Sequence, residues 1–187
     1  SVAYNFSIIK NKMTELNGVD YIGLSSSELH GRNFDQETSR SAVGQPIGSF
    51  FVYEADGLFQ NDAEIQNYKN DKGELLQPNA KPGDIRFKDL NGDGVINSED
   101  RDFVGSPLPD CSMGLTLGFN YKNFDISAFF QGVFGNEVYN LTNYLGEFYN
   151  QAQYNKNSTI LDAWRPDHTN TDIPRVTLDD PNNNIRP

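Results

Sequence analysis

The chain has 187 residues and a formal net charge of −11, an acidity that argues against nucleic acid and anionic membrane surfaces as partners. Aromatic residues reach 12%, with 13 Phe and 9 Tyr, yet only 36% of residues are hydrophobic, a balance that favours β structure with long polar connections. Cys111 is the single cysteine and excludes an internal disulfide; no apolar run is long enough for a transmembrane helix, which leaves alternating barrel strands open.

Residues 1–16 place Tyr4, Phe6 and Ile8 on one face and Asn5 and Ser7 on the other, the period-2 mark of a strand. No signal peptide precedes it, and the chain starts inside this pattern and ends in a polar loop, as expected of a piece of a longer protein. Residues 17–44 lack convincing periodicity; their mixed charges and Gly31 predict loop or a short hairpin. Residues 45–60 carry aromatic and β-branched residues around Gly48 and Gly57, which predicts a strand followed by a turn at Ala55-Asp56-Gly57. A short helix is expected from Asn61 to Asn70, with Asn61 or Asp62 as N-cap and acidic residues in its first turn. Residues 71–84 form a Gly/Pro-rich connection.

The next stretch, Asp89 to Asp100, has the spacing of an EF-hand calcium loop. Asp89, Asn91 and Asp93 offer side-chain oxygens, Val95 its carbonyl, Asn97 an oxygen directly or through water, and Asp100 closes the sphere. Gly94 stands where the loop must turn sharply, and Ile96 is expected to point into apolar packing. The closing residue is Asp rather than the usual Glu, so the chain must approach the ion more closely. This many hard oxygens suit calcium better than magnesium, which keeps more of its own water. An Asn-Gly/Asp-Gly turn without metal is the plainer alternative. Neither flank is helical in pattern and there is one loop rather than a pair, so the expectation is a fixed structural clip, not a calcium switch.

Beyond the loop the pattern sharpens. Met113, Leu115, Leu117, Phe119 and Tyr121 alternate with small or polar residues, Lys122-Asn123 makes a two-residue turn, and Phe124, Ile126, Ala128, Phe130 and Phe134 resume the alternation. This predicts a long hairpin over 111–135 with one apolar face. In a soluble sandwich that face packs on a second sheet; in an outer-membrane barrel it meets lipid. The long polar connections, 17–110 and 136–187, and the aromatics Tyr121 and Phe124 beside the tight turn favour the barrel. In the last region a short helix over 157–164 is expected, capped by Ser158 or Thr159 and ending before Pro166. Trp164 to Arg175 reads as an ordered loop and 179–184 as a mobile tail.

No catalytic constellation stands out, and the chain is expected not to be an enzyme. His30 and His168 are far apart and outside any motif, Cys111 has no signature around it, and Glu54 and Asp56 read as solvated carboxylates. Tyr144, Phe148, Tyr149, Tyr154 and Trp164 are candidates for stacking on sugar rings, with a loop-anchoring role the stronger expectation for Trp164.

Several stretches in order resemble one family, the SusC/RagA-type TonB-dependent outer-membrane transporters. They are Asn5-Phe6-Ser7, Gly44-Gln45-Pro46-Ile47-Gly48-Ser49-Phe50-Phe51, Asp56-Gly57-Leu58-Phe59-Gln60, Pro82-Gly83-Asp84 through Gly94, and Gly105-Ser106-Pro107-Leu108-Pro109. Lys10-Asn11-Lys12, Asp100-Arg101, Gly114 to Phe124, Phe129-Phe130-Gln131-Gly132 with Gly135-Asn136, Trp164-Arg165-Pro166 and Ile173-Pro174-Arg175 complete the set.

The resemblance implies an all-β fold, a fragment of the C-terminal half of an antiparallel barrel of roughly 22 strands, with long extracellular loops and the EF-hand-like loop among them. It implies a barrel strand at 1–16, an extracellular region at 17–110 containing the calcium loop 89–100, a barrel hairpin at 111–135 and a second extracellular region at 136–187. The implied setting is the bacterial outer membrane, and the implied work is import of glycans or other nutrient oligomers, including peptides. Partners would be a SusD-like surface lipoprotein, membrane lipid and, through parts outside this chain, TonB. The alternative is a soluble calcium-binding, carbohydrate-associated β module, since a single loop of this type also resembles half of a dockerin; a glycan-active enzyme stands third.

Overall fold

An extended backbone satisfies its N–H and C=O groups by pairing, and the computed structural model pairs residues 2–8, 111–121 and 124–134 in that order into a three-stranded antiparallel sheet. The structure describes residues 1–25, 37–140, 143, 146–147, 155–182 and 184. They fall into two compact units, Ser1–Phe51 with Phe103–Val138 and Val52–Asp102 with Tyr139–Pro187.

In the first unit, β1 (Val2–Ile8) pairs with β8 (Cys111–Tyr121), which pairs with β9 (Phe124–Phe134). The register sets Tyr4 opposite Leu115, Leu115 opposite Phe130, and Tyr121 opposite Phe124 across the turn, where Lys122 takes φ 53°. The expected hairpin is therefore present with its expected turn. Because partners share a face, Val2, Tyr4, Phe6, Leu117, Phe119, Phe124, Ile126 and Phe130 form one continuous apolar surface, and every one of them is exposed. The opposite face carries Asn5, Ser7, Thr116, Asn120, Asp125, Ser127 and Gln131, interrupted by Phe129 and Val133. The expected strand over 1–16 is shorter: its ladder ends at Ile8, after which the Ile9 amide bonds to the Asp110 carbonyl at 2.9 Å and Met13 exchanges backbone bonds with Gln45 and Gly44, at 2.9 and 2.8 Å.

A second antiparallel sheet has the order β2-β3-β4-β7, with β2 at Tyr21–Ser25, β3 at Glu37–Ala42, β4 at Ser49–Tyr53 and β7 at Arg101–Gly105. The pairing of Tyr21 with Ala42 and Leu24 with Ser39 gives the short hairpin-like arrangement that was one of two expectations for 17–44. The β3 side chain that binds it together is a cation: the Arg40 guanidinium lies 3.7 Å from the ring centroids of both Tyr21 and Phe51 and makes two hydrogen bonds to Glu37, at 2.9 and 2.7 Å. The Glu37 contacts raise the Arg40 pKa, so its charge is fixed.

In the second unit, β5 (Ala55–Leu58) pairs with β6 (Ile85–Phe87). The turn expected at Ala55-Asp56-Gly57 is instead a bulge in β5: the register shifts between Ala55, opposite Phe87, and Leu58, opposite Ile85. The same small and flexible residues suit either geometry, and pairing with β6 selects the bulge. Helix α1 (Asp62–Asn67) starts as expected at Asn61, whose Oδ1 accepts from the Glu64 amide at 3.0 Å, while Glu64 accepts from the Gln60 amide at 2.8 Å. Leu58, Ile85, Phe87 and Trp164 make the core, with Tyr53 and Ile96 packed on it.

Trp164 is thus an anchor: it is buried, its Nε1 donates to Gln60 Oε1 at 2.9 Å, and its amide bonds to the Ile173 carbonyl at 2.9 Å. It lies flat over Gly83, at φ 88°, where any Cβ would collide with the indole and come within 2.8 Å of Arg175 Cβ. The helix expected over 157–164 is a 3₁₀ segment, Ser158–Asp162, and its N-cap is Asn157 without a side-chain bond, not Ser158 or Thr159. The tail also departs from expectation. Asn184 is buried and its Oδ1 accepts from the Ile85 amide at 2.7 Å, while Asn182 donates to the Ile85 carbonyl at 2.9 Å. With Gln77, which bonds to both the Ile85 carbonyl and the Phe87 amide, these side-chain amides take the place of a neighbouring strand along β6.

Candidate metal centre

The loop 89–100 runs from just after β6 to the start of β7, so strands rather than helices flank it, as its sequence context predicts. Its residues turn the backbone by side-chain acceptors. Asp89 accepts from the amides of Gly92 and Gly94, at 2.7 and 2.9 Å; Asn91 accepts from Asp93 and Asp93 from Val95, both at 2.9 Å. Gly94, at φ 86°, makes the sharp turn, and its carbonyl is held from outside by Asn70 at 3.1 Å. Ile96 points into the core, as expected.

Four of the six expected ligand residues, Asn91, Asp93, Val95 and Asn97, bond directly to one another, while Asp89 bonds to the Gly92 and Gly94 amides between them. Asp93 Oδ2 receives Asn91 at 3.1 Å and Asn97 at 3.3 Å, and Asn97 reaches the Val95 carbonyl at 3.4 Å. The Val95 amide, then the Asn91 and Asn97 side chains, hold the Asp93 carboxyl below its usual pKa. Asp93 is therefore anionic at neutral pH. Asp100 has a different setting: it is fully buried, with Oδ1 on the Leu90 amide at 3.0 Å and Oδ2 on the Asn97 amide at 2.7 Å. With Asn97 it forms a capping box for the 3₁₀ turn Ser98–Asp100.

Among the described residues, no three His, Cys, Asp or Glu side chains gather in a way that could hold a metal. The residue types of the loop, carboxylates, amides and a carbonyl, are those of a hard cation rather than a transition metal, but Asn91 and Asn97 here turn Nδ2 toward Asp93 and Oδ1 toward backbone amides, and would have to reorient to present oxygen. Asp100 is set apart by its burial rather than by its bonds, since each of its oxygens, like those of Asp89, accepts one amide and keeps a further lone pair.

Other expected positions are scattered. Glu54 pairs with Lys88, Asp56 with Arg86 at 3.0 Å, and His168 with Asp162 at 2.6 Å. His30, Tyr144, Phe148, Tyr149 and Tyr154 lie outside the described residues. One feature escaped sequence reasoning: a cavity of about 490 Å³ beside the β5 bulge, with Asp56, Leu58, Gln60, Ile85, Arg86 and Asp172 in its wall. The signal was present in Asp56-Gly57, whose alternative to a turn is a bulge.

No family model matches the chain. TonB-dependent receptor P3 of Formosa agariphila is 38% identical over 178 residues, 95% of this chain and 17% of that protein. TonB-dependent receptor P26 of the same organism is 36% identical over 89% of this chain and 16% of its own length. TonB-dependent receptor SusC of Bacteroides thetaiotaomicron is 30% identical over 74% of this chain and 12% of its own length. The chain thus spans about one-sixth of the length of the first two relatives. The similarity runs along nearly all of the chain, through both units, and the chain belongs to the SusC-type TonB-dependent receptors, as a segment of one.

Proposed function

We propose that the chain is part of a TonB-dependent outer-membrane β-barrel that imports glycans or other nutrient oligomers together with a SusD-like lipoprotein. One observation carries the membrane assignment: the β1-β8-β9 sheet exposes a continuous apolar face, including Phe119, Phe124, Ile126 and Phe130, against a mainly polar opposite face. In water a patch of this kind is costly, because each exposed apolar Å² forgoes about 25 cal/mol of burial. Lipid removes that cost, while the polar face suits a solvated lumen. The edges β1 and β9 then pair with further strands of the longer receptor. A soluble carbohydrate-associated module would have to bury this face on a second sheet.

In this reading the two long regions, 17–110 and 136–187, are extracellular, and the chain carries no catalytic step. The loop 89–100 holds calcium through Asp89, Asn91, Asp93, the Val95 carbonyl and Asn97, with Asp100 bracing the loop from within or closing the sphere. The ion would neutralise clustered carboxylates and stiffen the connection from β6 to β7.

The membrane assignment is tested in the longer receptor with single cysteines at Phe119, Phe130, Thr116 and Gln131, in a background lacking Cys111. A lipid-phase thiol reagent should label the first two and an aqueous one the last two. Aqueous labelling of Phe119 and Phe130 positions in liposomes would overturn the assignment in favour of the soluble module.

A further inference from the structure

We propose that the end of the β1-β8-β9 sheet beside Lys10 and Lys12 binds an anionic lipid, with its phosphate headgroup on the two lysines and its chains on the apolar face. The inference rests on the membrane reading and deepens it, because it names the headgroup chemistry that one end of this face selects.

The apolar half of the site is the last row of the sheet. Ile8 lies opposite Cys111 and Cys111 opposite Phe134, so the three share the apolar face. Ile8 is 66% exposed and Phe134 51%. Gly132, two residues before Phe134, leaves room for its ring: a Cβ there would stand 2.6 Å from Phe134 Cε2 and 3.4 Å from Met113 Cγ. The ring therefore leans back over the sheet and makes a platform continuous with the rest of the apolar face. The polar half follows Ile8 along the chain. The Ile9 amide bonds to the Asp110 carbonyl at 2.9 Å, Asn11 Oδ1 accepts from the Ile47 amide at 2.9 Å, and Met13 bonds to Gln45 and Gly44 through its backbone. Tethers at every second residue keep this stretch drawn out. Lys10 and Lys12 alternate with the tethered residues, on the side that Ile8 occupies, and both are exposed.

Neither lysine has a hydrogen bond or ion pair among the described residues. The carboxylate next to this row, Asp110, follows the opposite face: it precedes Cys111 in the alternation, and its Oδ2 occupies the place that a Cβ on Gly135 would take. The net charge of −11 argues against anionic surfaces for the chain as a whole, and this rim is a local exception to it. A lysine stem can lie along apolar surface while its ammonium reaches a headgroup, which suits a pair placed just past the last apolar row. Each such ammonium strengthens binding to an anionic lipid about fivefold. A zwitterionic headgroup brings its own ammonium and forfeits that gain. Free phosphate gains from the two ammonium groups alone, whereas a lipid phosphate is also held by its chains on Ile8 and Phe134, so the site selects the lipid.

The test uses the purified longer receptor in a neutral detergent and native mass spectrometry of the lipid it retains. The probes are diphosphoryl lipid A, the same lipid without its phosphates, phosphatidylethanolamine, and inorganic phosphate as competitor. Diphosphoryl lipid A should be retained saturably and at least about tenfold more tightly than the other two lipids, and inorganic phosphate should not displace it. Lys10→Gln with Lys12→Gln should abolish that preference while leaving the heat-modifiable folded fraction and the retention of phosphate-free lipid unchanged. Lys10→Gln alone should cost about fivefold, and it decides the matter where the double change impairs folding. The inference is overturned when no lipid is retained, when phosphate-free lipid or phosphatidylethanolamine binds as tightly as diphosphoryl lipid A, when the preference survives the substitutions, or when inorganic phosphate displaces the lipid. Cysteine labelling at Phe119 and Phe130 keeps the two readings apart. Lipid-phase labelling there without any phosphate preference sinks this site alone; aqueous labelling sinks the membrane assignment and the site with it.

Discussion

Arg175 Nε lies 2.6 Å from Oδ1 of Asp84, a carboxylate with no exposed surface, across 91 residues of sequence. The same carboxylate accepts from the Lys81 amide at 2.8 Å and from Asn184 Nδ2 at 2.9 Å, so three separate segments meet on it. A buried charge that loses its counter-ion while keeping its burial is strongly destabilising. Arg175→Met should therefore cost about 3–5 kcal/mol. Asp84→Asn in the same background should recover part of that loss, because the partners share one site and their effects do not add. Chemical denaturation followed at Trp164, which packs beside Arg175 over Gly83, reads both. Equal losses for the single and double variants would show that the pair contributes by shape alone.

Asp180 adds a pH dependence to this corner. Burial raises its pKa above the ordinary 3.8, and the Asp84 charge pushes the same way, while bonds from Asn184 oppose both. The folded tail thus binds a proton more readily than the unfolded tail. Stability from this group is highest below pH 3.8, falls as pH rises through the raised value, and stays lower above it. Exchange of the Asn184 amide, corrected for its intrinsic rate, should slow on mild acidification from neutrality. Faster corrected exchange over that interval would contradict the assignment.

Asp93 has the opposite sign. Its lowered pKa means that the loop 89–100 gains stability above the ordinary 3.8 and loses it as pH falls through the folded value. The same protonation removes a calcium ligand. With Asp100 fully buried, leaving Asp89 and Asp93 as the accessible carboxylates, affinity should sit in the extracellular range, on the order of 10⁻⁴–10⁻³ M. Calorimetric titration into chelator-treated receptor should show a saturable site that Asp93→Ala weakens at least about tenfold. Asp100→Asn should lower thermal stability even without calcium, since it disturbs the bonds to Leu90 and Asn97. No heat and no thermal shift on adding calcium would remove the metal from the proposal.

What sequence alone could read follows from how local each signal is. The β8-β9 hairpin needs only alternation and the Lys122-Asn123 turn, and α1 needs only Asn61 and Glu64, so both were legible. The loop spacing placed Ile96 in the core and the turn at Gly94, but not the burial of Asp100, which depends on the amides of Leu90 and Asn97. Strand β3, Glu-Thr-Ser-Arg-Ser-Ala, has no apolar alternation to find; Arg40 anchors it only once Tyr21 and Phe51 arrive from other strands. The Asn-rich tail carries the composition of a mobile end, and its role appears only where Asn182 and Asn184 meet Ile85, 97 and 99 residues away.

Gly83 and Trp164 test the core of the second unit. Ala at position 83 must adopt φ 88° and collide with the indole, which together should cost more than about 1–2 kcal/mol. Trp164→Phe removes the bond to Gln60 and some ring volume, for a loss of about 1–3 kcal/mol. The double variant should be less damaging than the sum, because the smaller ring leaves room for the new methyl. Strict additivity in denaturant unfolding would mean that the backbone angle alone, not the indole, excludes Ala.

The exposed sheet face gives the strongest test, because water and lipid make opposite demands on it. Leu117, Phe119, Ile126 and Phe130 all point to the apolar side of β8 and β9 and are exposed. An Arg there is harmless or even solubilising when that face meets water. Facing hydrocarbon, it costs about 2–4 kcal/mol near the bilayer midplane and about 0–1 kcal/mol close to the interface. Leu117→Arg and Phe119→Arg should therefore reduce assembly of the longer receptor into membranes, with the larger loss at the deeper position. Thr116→Arg on the opposite face should assemble nearly normally, since a lumen-facing charge remains hydrated. The readout is the heat-modifiable, protease-resistant fraction after folding into liposomes. Equal losses at Thr116 and Phe119 would leave no membrane-facing side, and unimpaired assembly of both Leu117→Arg and Phe119→Arg would place the face in water.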